Sequence, residues 1–461
     1  MRVLPDDVLL LIGDFLEDHQ DRYNLVFVCR RFHDLFLRLA YREASLKSCQ
    51  HVQSFLGSIL RRPELARAIR VLHFDRWQDK PSTGYVHITD KERPLLTEWA
   101  WAISQSDEEH AQWEQDLQHG MSEAWIALLL PLVSNLRRLR LIYPKHNTYL
   151  DRTLSRAVNG ECPALRSLQE VSLNHLEDDA DDTKGNYLPS QILPFFRLPL
   201  MGTLSADMVL ESDSAQEARG SPPSTPLTDS SSSVSEITLN ASNGSKGMES
   251  LIASCSSLKT FKYQHSDSHL HAEGYQPSAF YHSLAGSKNT LETLWLDTCG
   301  HHLPFTIAGA NETHDEWFGP LTEFTALKDI RIRLPNLLDV RYQLEPSTSL
   351  PDILPRSLES LYIECCKENT LSMLLNQLRM VLSQRTSRFP ELRRVDIEGF
   401  FHDEEDYEDS GYDGSSNTTE KVIKPRVYEM VKPVRNSCAE AGIDLFIQDR
   451  VCLETMKGSP V

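Results

Sequence analysis

The stretch Leu291-Glu292-Thr293-Leu294-Trp295-Leu296 has apolar residues at its first, fourth and sixth positions. Alternate side chains of a β-strand point to opposite faces, so Leu294 and Leu296 would face a core while Trp295 faces away from it. The same spacing recurs along the chain and predicts a short strand at each occurrence. The apolar residues of the other occurrences are Ile69, Leu72 and Phe74; Leu136, Leu139 and Leu141; Leu168, Val171 and Leu173; Met201, Leu204 and Ala206; Val234, Ile237 and Leu239; Leu258, Phe261 and Tyr263; Leu327, Ile330 and Ile332; Leu358, Leu361 and Ile363; Leu392, Val395 and Ile397; and, as a candidate last member, Ile443, Leu445 and Ile447.

The intervals between these strands predict a repeat array. From Leu139 to Val395 the central apolar residues are 24 to 36 residues apart, and a short strand that recurs at such intervals is typical of a solenoid. Alternation of strand and helix favours a parallel sheet with helices on its convex side. The alternative, a set of ordinary buried strands, does not account for so many triplets with similar gaps. Helical patterns of apolar residues precede several strands, at 125–133, 248–253, 279–284, 371–382 and 427–441.

The N-terminal residues predict an apolar helical module. Pro5 suits the first turn of a helix, and Asp6 and Asp7 complement the positive end of its dipole. A second, wider apolar helix is predicted from Tyr23 to Leu39. A segment of about 46 residues cannot bury this much apolar surface alone, so we expect an exposed helical face that takes a partner helix. The apolar stripe of the first helix comprises Val8, Leu9, Ile12, Phe15 and Leu16.

This module resembles an F-box. The resemblance is carried by Leu4, Pro5, Val8, Ile12, Leu16, Leu25, Val28, Cys29, Arg30 and Phe32. Two features depart from the family: the polar break at 17–22 is longer than usual, and Phe32 stands where Trp is typical. The family implies a three-helix module that docks on the adaptor Skp1, whereas the alternative is that the helices merely cap the following repeats. The residues that the resemblance assigns to Skp1 binding are Leu4, Pro5, Val8, Leu9, Ile12, Phe15, Leu16, Leu25, Val28, Cys29 and Phe32.

The repeat spacing resembles the leucine-rich repeat, with a longer period and no regular Asn or Cys after the strand. The whole chain is therefore similar to F-box proteins with degenerate leucine-rich repeats, of the fungal type. This resemblance implies an α/β fold, in which a short F-box precedes an irregular repeat solenoid. It also implies a substrate-recognition subunit of a Skp1–cullin–F-box ubiquitin ligase, which is a non-catalytic adaptor without a cofactor. The alternatives are a repeat scaffold that directs no ubiquitination and, more weakly, an enzyme hidden in the solenoid.

The predicted domain organisation has three parts. Residues 1–46 form the F-box-like module, 47–450 the solenoid and 451–461 a C-terminal tail. Insertions interrupt the solenoid at 75–121, where tryptophans more often indicate local packing than a binding cage, and at 207–233 and 402–420. The last two are rich in Ser, Pro, Gly or acids, so we expect them to be disordered. Candidate phosphorylation sites are Ser221, Thr225 and Ser410.

The residues between the paired apolar positions of each strand predict a binding surface. They would line the concave face of the sheet, where Trp, Tyr and Arg are the residue types that dominate interface hot spots. The alternative for Trp295 is that a neighbouring loop covers it. We therefore expect an unidentified target protein to contact His73, Arg140, Ser172, Lys262, Trp295, Arg331, Tyr362 and Asp396.

The net charge of −19 argues against broad nucleic-acid or anionic-membrane binding. Most of the excess acids lie in runs at 107–116, 177–182 and 403–413, which suggests three acidic loops.

No phosphate-binding, zinc or serine-hydrolase motif is present, and the 9 Cys residues include no C-x-x-C pair. With neither a signal peptide nor an apolar span, a cytoplasmic or nuclear location is expected.

Overall fold

In the computed structural model, contacts between residues divide the chain into two compact units. The first unit holds the described residues up to Asp207 together with 232–234, and the second holds the others from Met208 onward. The structure describes residues 4–16, 18–74, 93–142, 147–174, 187–211, 232–266, 275–298, 315–340, 345–402 and 423–450.

Three short helices open the first unit: α1 (Asp6–Asp14), α2 (His19–Leu25) and α3 (Arg30–Ala40). The predicted single helix from Tyr23 to Leu39 is wrong, because Cys29 is extended (φ −166°) and caps α3. The predicted three-helix arrangement is thus confirmed. The small core of this module consists of Leu9, Val26, Phe36 and Ala40.

A glycine lets α1 approach α3 closely. A Cβ atom at Gly13 would lie 2.7 Å from side-chain carbons of both Phe36 and Leu39, which is closer than carbon atoms can pack. The absence of a side chain at this position therefore brings the two helices together over the core of the module.

Parallel strands in chain order make up the sheet of the first unit. They are β1 (Glu43–Leu46), β2 (Val71–Phe74), β3 (Arg138–Ile142), β4 (Glu170–Asn174) and β5 (Thr203–Asp207). The helices of this unit that follow the N-terminal module are α4 (Cys49–Arg61), α5 (Pro63–Ala66), α6 (Arg93–Ile103), α7 (Asp107–Gln118), α8 (Ser122–Leu129), α9 (Thr148–Val158) and α10 (Pro189–Phe196), with a 3-10 turn at Leu130–Leu132.

The second unit repeats this plan with parallel strands in chain order. They are β6 (Glu236–Ser242), β7 (Thr260–His265), β8 (Thr293–Thr298), β9 (Asp329–Arg333), β10 (Ser360–Lys367), β11 (Arg394–Phe400) and β12 (Asp444–Asp449). Its helices are α11 (Glu249–Ala253), α12 (Pro277–Ser283), α13 (Leu334–Leu337), α14 (Leu350–Ile353), α15 (Glu368–Ser383), α16 (Arg385–Arg388) and α17 (Pro425–Glu440), with a 3-10 turn at Leu284–Ser287. The predicted α/β solenoid of parallel strands and intervening helices is confirmed.

The repeated triplets predict the strands correctly. In every triplet the last two apolar residues lie on a strand, and Leu72, Leu204 and Leu294 are fully buried. Equivalent positions pair directly, as Leu294 does with Ile330. The prediction missed β1, although Tyr41, Ala44 and Leu46 have the same spacing. These residues were assigned to the F-box-like module, so their strand spacing was not considered.

Part of the first insertion is helical. Residues 93–118 form α6 and α7, so the acidic run at 107–116 is a helix and the expectation of a loop there is wrong. The side chain of Ser106 caps α7 by accepting a hydrogen bond from the backbone N–H of Glu109, and acids in the first turn complement the helix dipole. Trp113 packs against Tyr149 with 4.1 Å between ring centroids. Residues 75–92, 175–186, 212–231, 403–422 and 451–461, and with them the other two acidic runs and the candidate phosphorylation sites, lie outside the described residues.

Within the described part of the chain, no helix combines the length and the apolar character that a membrane crossing requires.

Candidate protein-interaction surfaces

The N-terminal module leaves a set of large apolar side chains in solvent. Phe15 is 76% exposed, Phe27 68% and Val28 63%. Residues 8–12 are all apolar, so apolar side chains surround most of this part of α1. Leu9 packs in the core of the module, and the other side chains of this run are exposed to solvent. We call the exposed set the N-terminal apolar face; it comprises Leu4, Val8, Leu10, Leu11, Ile12, Phe15, Tyr23, Phe27 and Val28.

The residues assigned to Skp1 binding divide into three groups. The exposed ones are Leu4, Pro5, Val8, Ile12, Phe15, Val28 and Cys29. Leu16, Leu25 and Phe32 are half-buried. The expectation that Leu9 contacts a partner needs correction, because Leu9 is only 7% exposed and packs in the core of the module. The sequence pattern missed four exposed residues, which the continuous apolar run and the aromatic pair could have signalled: Leu10, Leu11, Tyr23 and Phe27.

Ion pairs hold the elements that present this face. Arg31 on α3 donates through Nε to Asp6 Oδ1 at 2.9 Å and also bonds the carbonyl oxygen of Leu4. Arg42 pairs with Asp14 at 3.0 Å, which ties the end of α1 to the start of β1. Exposed pairs add little stability, so their effect is to fix the direction of α1.

The concave residues of the second unit form one row. Lys262, Trp295, Arg331 and Tyr362 are successive register partners on β7 to β10. The Nζ atom of Lys262 lies 3.7 Å from the centroid of the Trp295 ring, and Cζ of Arg331 lies 4.5 Å from the Tyr362 ring. The indole N–H of Trp295 donates to Asp329 at 2.7 Å. The row is therefore a rigid cation–π stack with half-buried members.

Buried acids support this row. Arg331 bonds Glu364 and pairs with Asp297 at 3.1 Å. Burial opposes the charge of Arg331, but these acids outweigh it and raise the pKa of Arg331. The phenol of Tyr362 donates to Glu398 at 2.6 Å. These bonds orient the row and leave Arg331 little free charge.

The last predicted member of the row is not on the surface. Asp396 is 1% exposed, and Arg394 donates to its two carboxylate oxygens at 2.6 and 2.9 Å. The expectation of an exposed carboxylate there is thus corrected. Arg394, with Cζ 4.9 Å from the Phe446 ring, covers it. Arg394 and the exposed Phe446 therefore present the surface at this end.

The concave residues of the first unit are also in register. His73, Arg140 and Ser172 are partners on β2, β3 and β4. Arg140 is exposed and bonds the amide oxygen of Asn174 at 3.3 Å, while Ser172 donates to the same oxygen at 2.9 Å. Among the described residues, the hydrogen-bond partner of Arg140 is thus a neutral amide.

No set of three His, Cys, Asp or Glu side chains suited to a metal ion comes together within the described ranges.

Comparison with known families gives two matches. A family model of the leucine-rich repeat domain matches residues 44–406, and a model described as F-box-like matches residues 1–46. The repeat match covers more than half of the chain. No curated protein matches the chain closely enough to count as a relative.

Proposed function

Because the chain belongs to the F-box proteins with leucine-rich repeats, we propose that it is the substrate-recognition subunit of a Skp1–cullin–F-box ubiquitin ligase. The N-terminal module docks a Skp1-type adaptor and, through it, a cullin. The concave face of the repeats holds the target protein. The chain itself is a non-catalytic adaptor that acts in the cytoplasm or the nucleus.

The observation that carries this proposal is the N-terminal apolar face. Phe15, Phe27 and Val28 are each more than half exposed and lie on one small module. Several large apolar side chains exposed on one small module mark an interaction site. Burying one such side chain contributes about 1.5–3 kcal/mol, so a groove that covers several of them would bind the module firmly.

The mechanism is positional. An adaptor that holds a target beside a ubiquitin-charged enzyme converts a bimolecular encounter into an effectively intramolecular one. The rigid concave rows suit this task, because a target held in a fixed orientation presents the same lysines to the enzyme each time. No group of this chain needs to take part in the bond-making step.

The test is capture of a purified Skp1-type adaptor by the full-length protein. The variant Leu11→Asp/Phe15→Asp should lose capture, because each carboxylate would be buried in the interface without a partner. Leu200→Asp is the matched control, since Leu200 is similarly exposed in the same unit but outside the face. Thermal melting should show that both variants remain folded.

Two results would contradict the proposal. If Leu11→Asp/Phe15→Asp retains the adaptor as wild type does, the face is not the docking site. The second result concerns the proteins that the repeats capture under proteasome inhibition. If their half-lives are the same with this variant as with wild type, the chain is a scaffold that directs no ubiquitination.

A further inference from the structure

Arginines lie side by side at the amino-terminal ends of three strands in the first unit. Arg42, Arg70 and Arg137 stand immediately before β1, β2 and β3, and we call this set the arginine ladder. The backbone N–H of Arg70 bonds the carbonyl of Arg42 at 2.8 Å, and that of Arg137 bonds the carbonyl of Arg70 at 2.7 Å. Neighbouring strands are about 4.8 Å apart, so the three residues lie side by side.

The charges of the ladder repel one another. Burial lowers the pKa of Arg70, and the charges of Arg137 and Arg42 lower it further. Repulsion between like charges weakens the folded state. An anion that approaches all three arginines would reduce this repulsion.

The described residues neutralise the ladder only in part. Arg42 pairs with Asp14, whereas the guanidinium of Arg70 bonds backbone carbonyls of Arg67 and Ile69. Arg137 is exposed and makes no side-chain hydrogen bond or ion pair with the described residues. On β3 itself, Arg138 pairs with Glu170 at 3.1 Å and Arg140 bonds the neutral Asn174.

We propose that the arginine ladder binds an extended anionic segment of the target protein that carries carboxylates or phosphates. The identification of this partner as the target rests on the proposed function. Arginine is suited to both anions, because its planar guanidinium donates paired hydrogen bonds to either. The ends of the ladder are about 10 Å apart, which an extended peptide spans in about three to four residues. The expected motif is therefore short and has closely spaced acids.

A peptide fits the surface better than a nucleic acid. Nucleic-acid binding needs a basic surface that extends along the backbone, whereas this chain has a net charge of −19 and the ladder is confined to the edge of three strands. A short acidic segment needs only the local charge of the ladder, whereas a long polyanion needs a basic surface that continues beyond it.

The experiment measures fluorescence anisotropy of labelled probes with the full-length protein at low ionic strength. The probes are the peptide Asp-Ser-Asp-Ser-Asp-Ser, the same peptide with Asn for Asp, the same peptide with phosphoserine for Ser, and a thymidine hexanucleotide. We expect the Asp peptide to bind, the Asn peptide not to bind, and salt to weaken binding. Tighter binding of the phosphoserine peptide would support the proposal and identify phosphate as the preferred anion.

The variant Arg137→Glu removes one attractive charge and adds a repulsive one, so affinity for the Asp peptide should fall about tenfold or more. Because Arg137 is exposed and unpaired among the described residues, folding should not change. Arg137→Lys should retain part of the affinity. The matched control is Arg197→Glu, an exposed arginine of the same unit outside the ladder, which should change affinity by less than about twofold.

Three results would overturn the inference: no binding of either anionic peptide, equal affinity of wild type and Arg137→Glu, or binding of the hexanucleotide alone. The proposed function is tested separately. Arg137→Glu should still capture the Skp1-type adaptor, and Leu11→Asp/Phe15→Asp should still bind the Asp peptide, so failure of one proposal is distinct from failure of the other.

Discussion

The ammonium nitrogen of Lys262 lies 3.7 Å from the centroid of the Trp295 ring, and the two residues are register partners on β7 and β8. The indole is held from its edge as well, because its N–H donates to Asp329. The largest aromatic side chain of the concave row is thus fixed before any partner arrives. A preordered aromatic group loses little conformational freedom on binding.

Replacing Lys262 with Gln should lower the free energy of unfolding by about 0.5–1 kcal/mol, because the cation over the indole ring is lost. Urea denaturation followed by tryptophan fluorescence measures this change. Lys432→Gln is the control, since Lys432 is exposed on α17 and should leave stability within about 0.5 kcal/mol. Equal stability of Lys262→Gln and wild type would show that the stacking contributes nothing.

Glu123 should make the stability of the first unit depend on pH. Burial raises the pKa of its carboxyl from 4.5 to about 7, although the backbone N–H groups of Leu150 and Tyr149 oppose the shift. The folded chain therefore binds this proton more tightly than the unfolded chain does. As the pH rises from about 4.5 to about 7, this group should reduce the free energy of unfolding by about 3 kcal/mol, with no further change above.

The variant Glu123→Gln tests this pH dependence. An amide oxygen can still accept the N–H of Leu150 but does not ionise, so the variant should gain stability relative to wild type as the pH rises through this range. Denaturant unfolding at a series of pH values provides the measurement, with Glu98→Gln, an exposed change on α6, as the control. Parallel pH profiles for wild type and Glu123→Gln would contradict the prediction.

Gly13→Ala should loosen α1. Alanine normally favours a helix by about 0.5–1 kcal/mol, but here its methyl group would lie 2.7 Å from carbons of Phe36 and Leu39. We expect overpacking to prevail at a cost of about 1–3 kcal/mol. Hydrogen exchange at the amides of α1 should accelerate. Gly286→Ala, whose Cβ would meet nothing within 4 Å, should leave exchange in α1 unchanged, and protection retained in Gly13→Ala would refute the clash.

The sequence predicted the strands because each one buries two apolar residues, as Leu361 and Ile363 do on β10. Alternation says which face a residue occupies, but it does not say what lies beside it. Asp396 has the periodicity of a surface residue, yet Arg394 lies two positions away on the same face and covers it. The side of α1 that buries Leu9 was equally ambiguous, because residues 8–12 are all apolar.

The arginine ladder could not be read from the sequence for a different reason. Arg42, Arg70 and Arg137 are far apart in the sequence and become neighbours only through the parallel register. Had β1 been recognised from Tyr41, Ala44 and Leu46, the position before each strand would have aligned all three arginines.

β1 begins inside the segment that matches the F-box-like model, which ends at residue 46, and it pairs along its length with β2. A truncated protein that starts at residue 47 therefore loses more than its adaptor-docking helices. It exposes the unpaired backbone of Val71–Phe74 as a new sheet edge, and bare edges promote aggregation. Aggregation of such a truncated protein would therefore result from the loss of β1 and not from the loss of adaptor docking. A truncated protein that retains residues 41–46 keeps the edge of β2 paired, so it tests adaptor docking without disturbing the repeats.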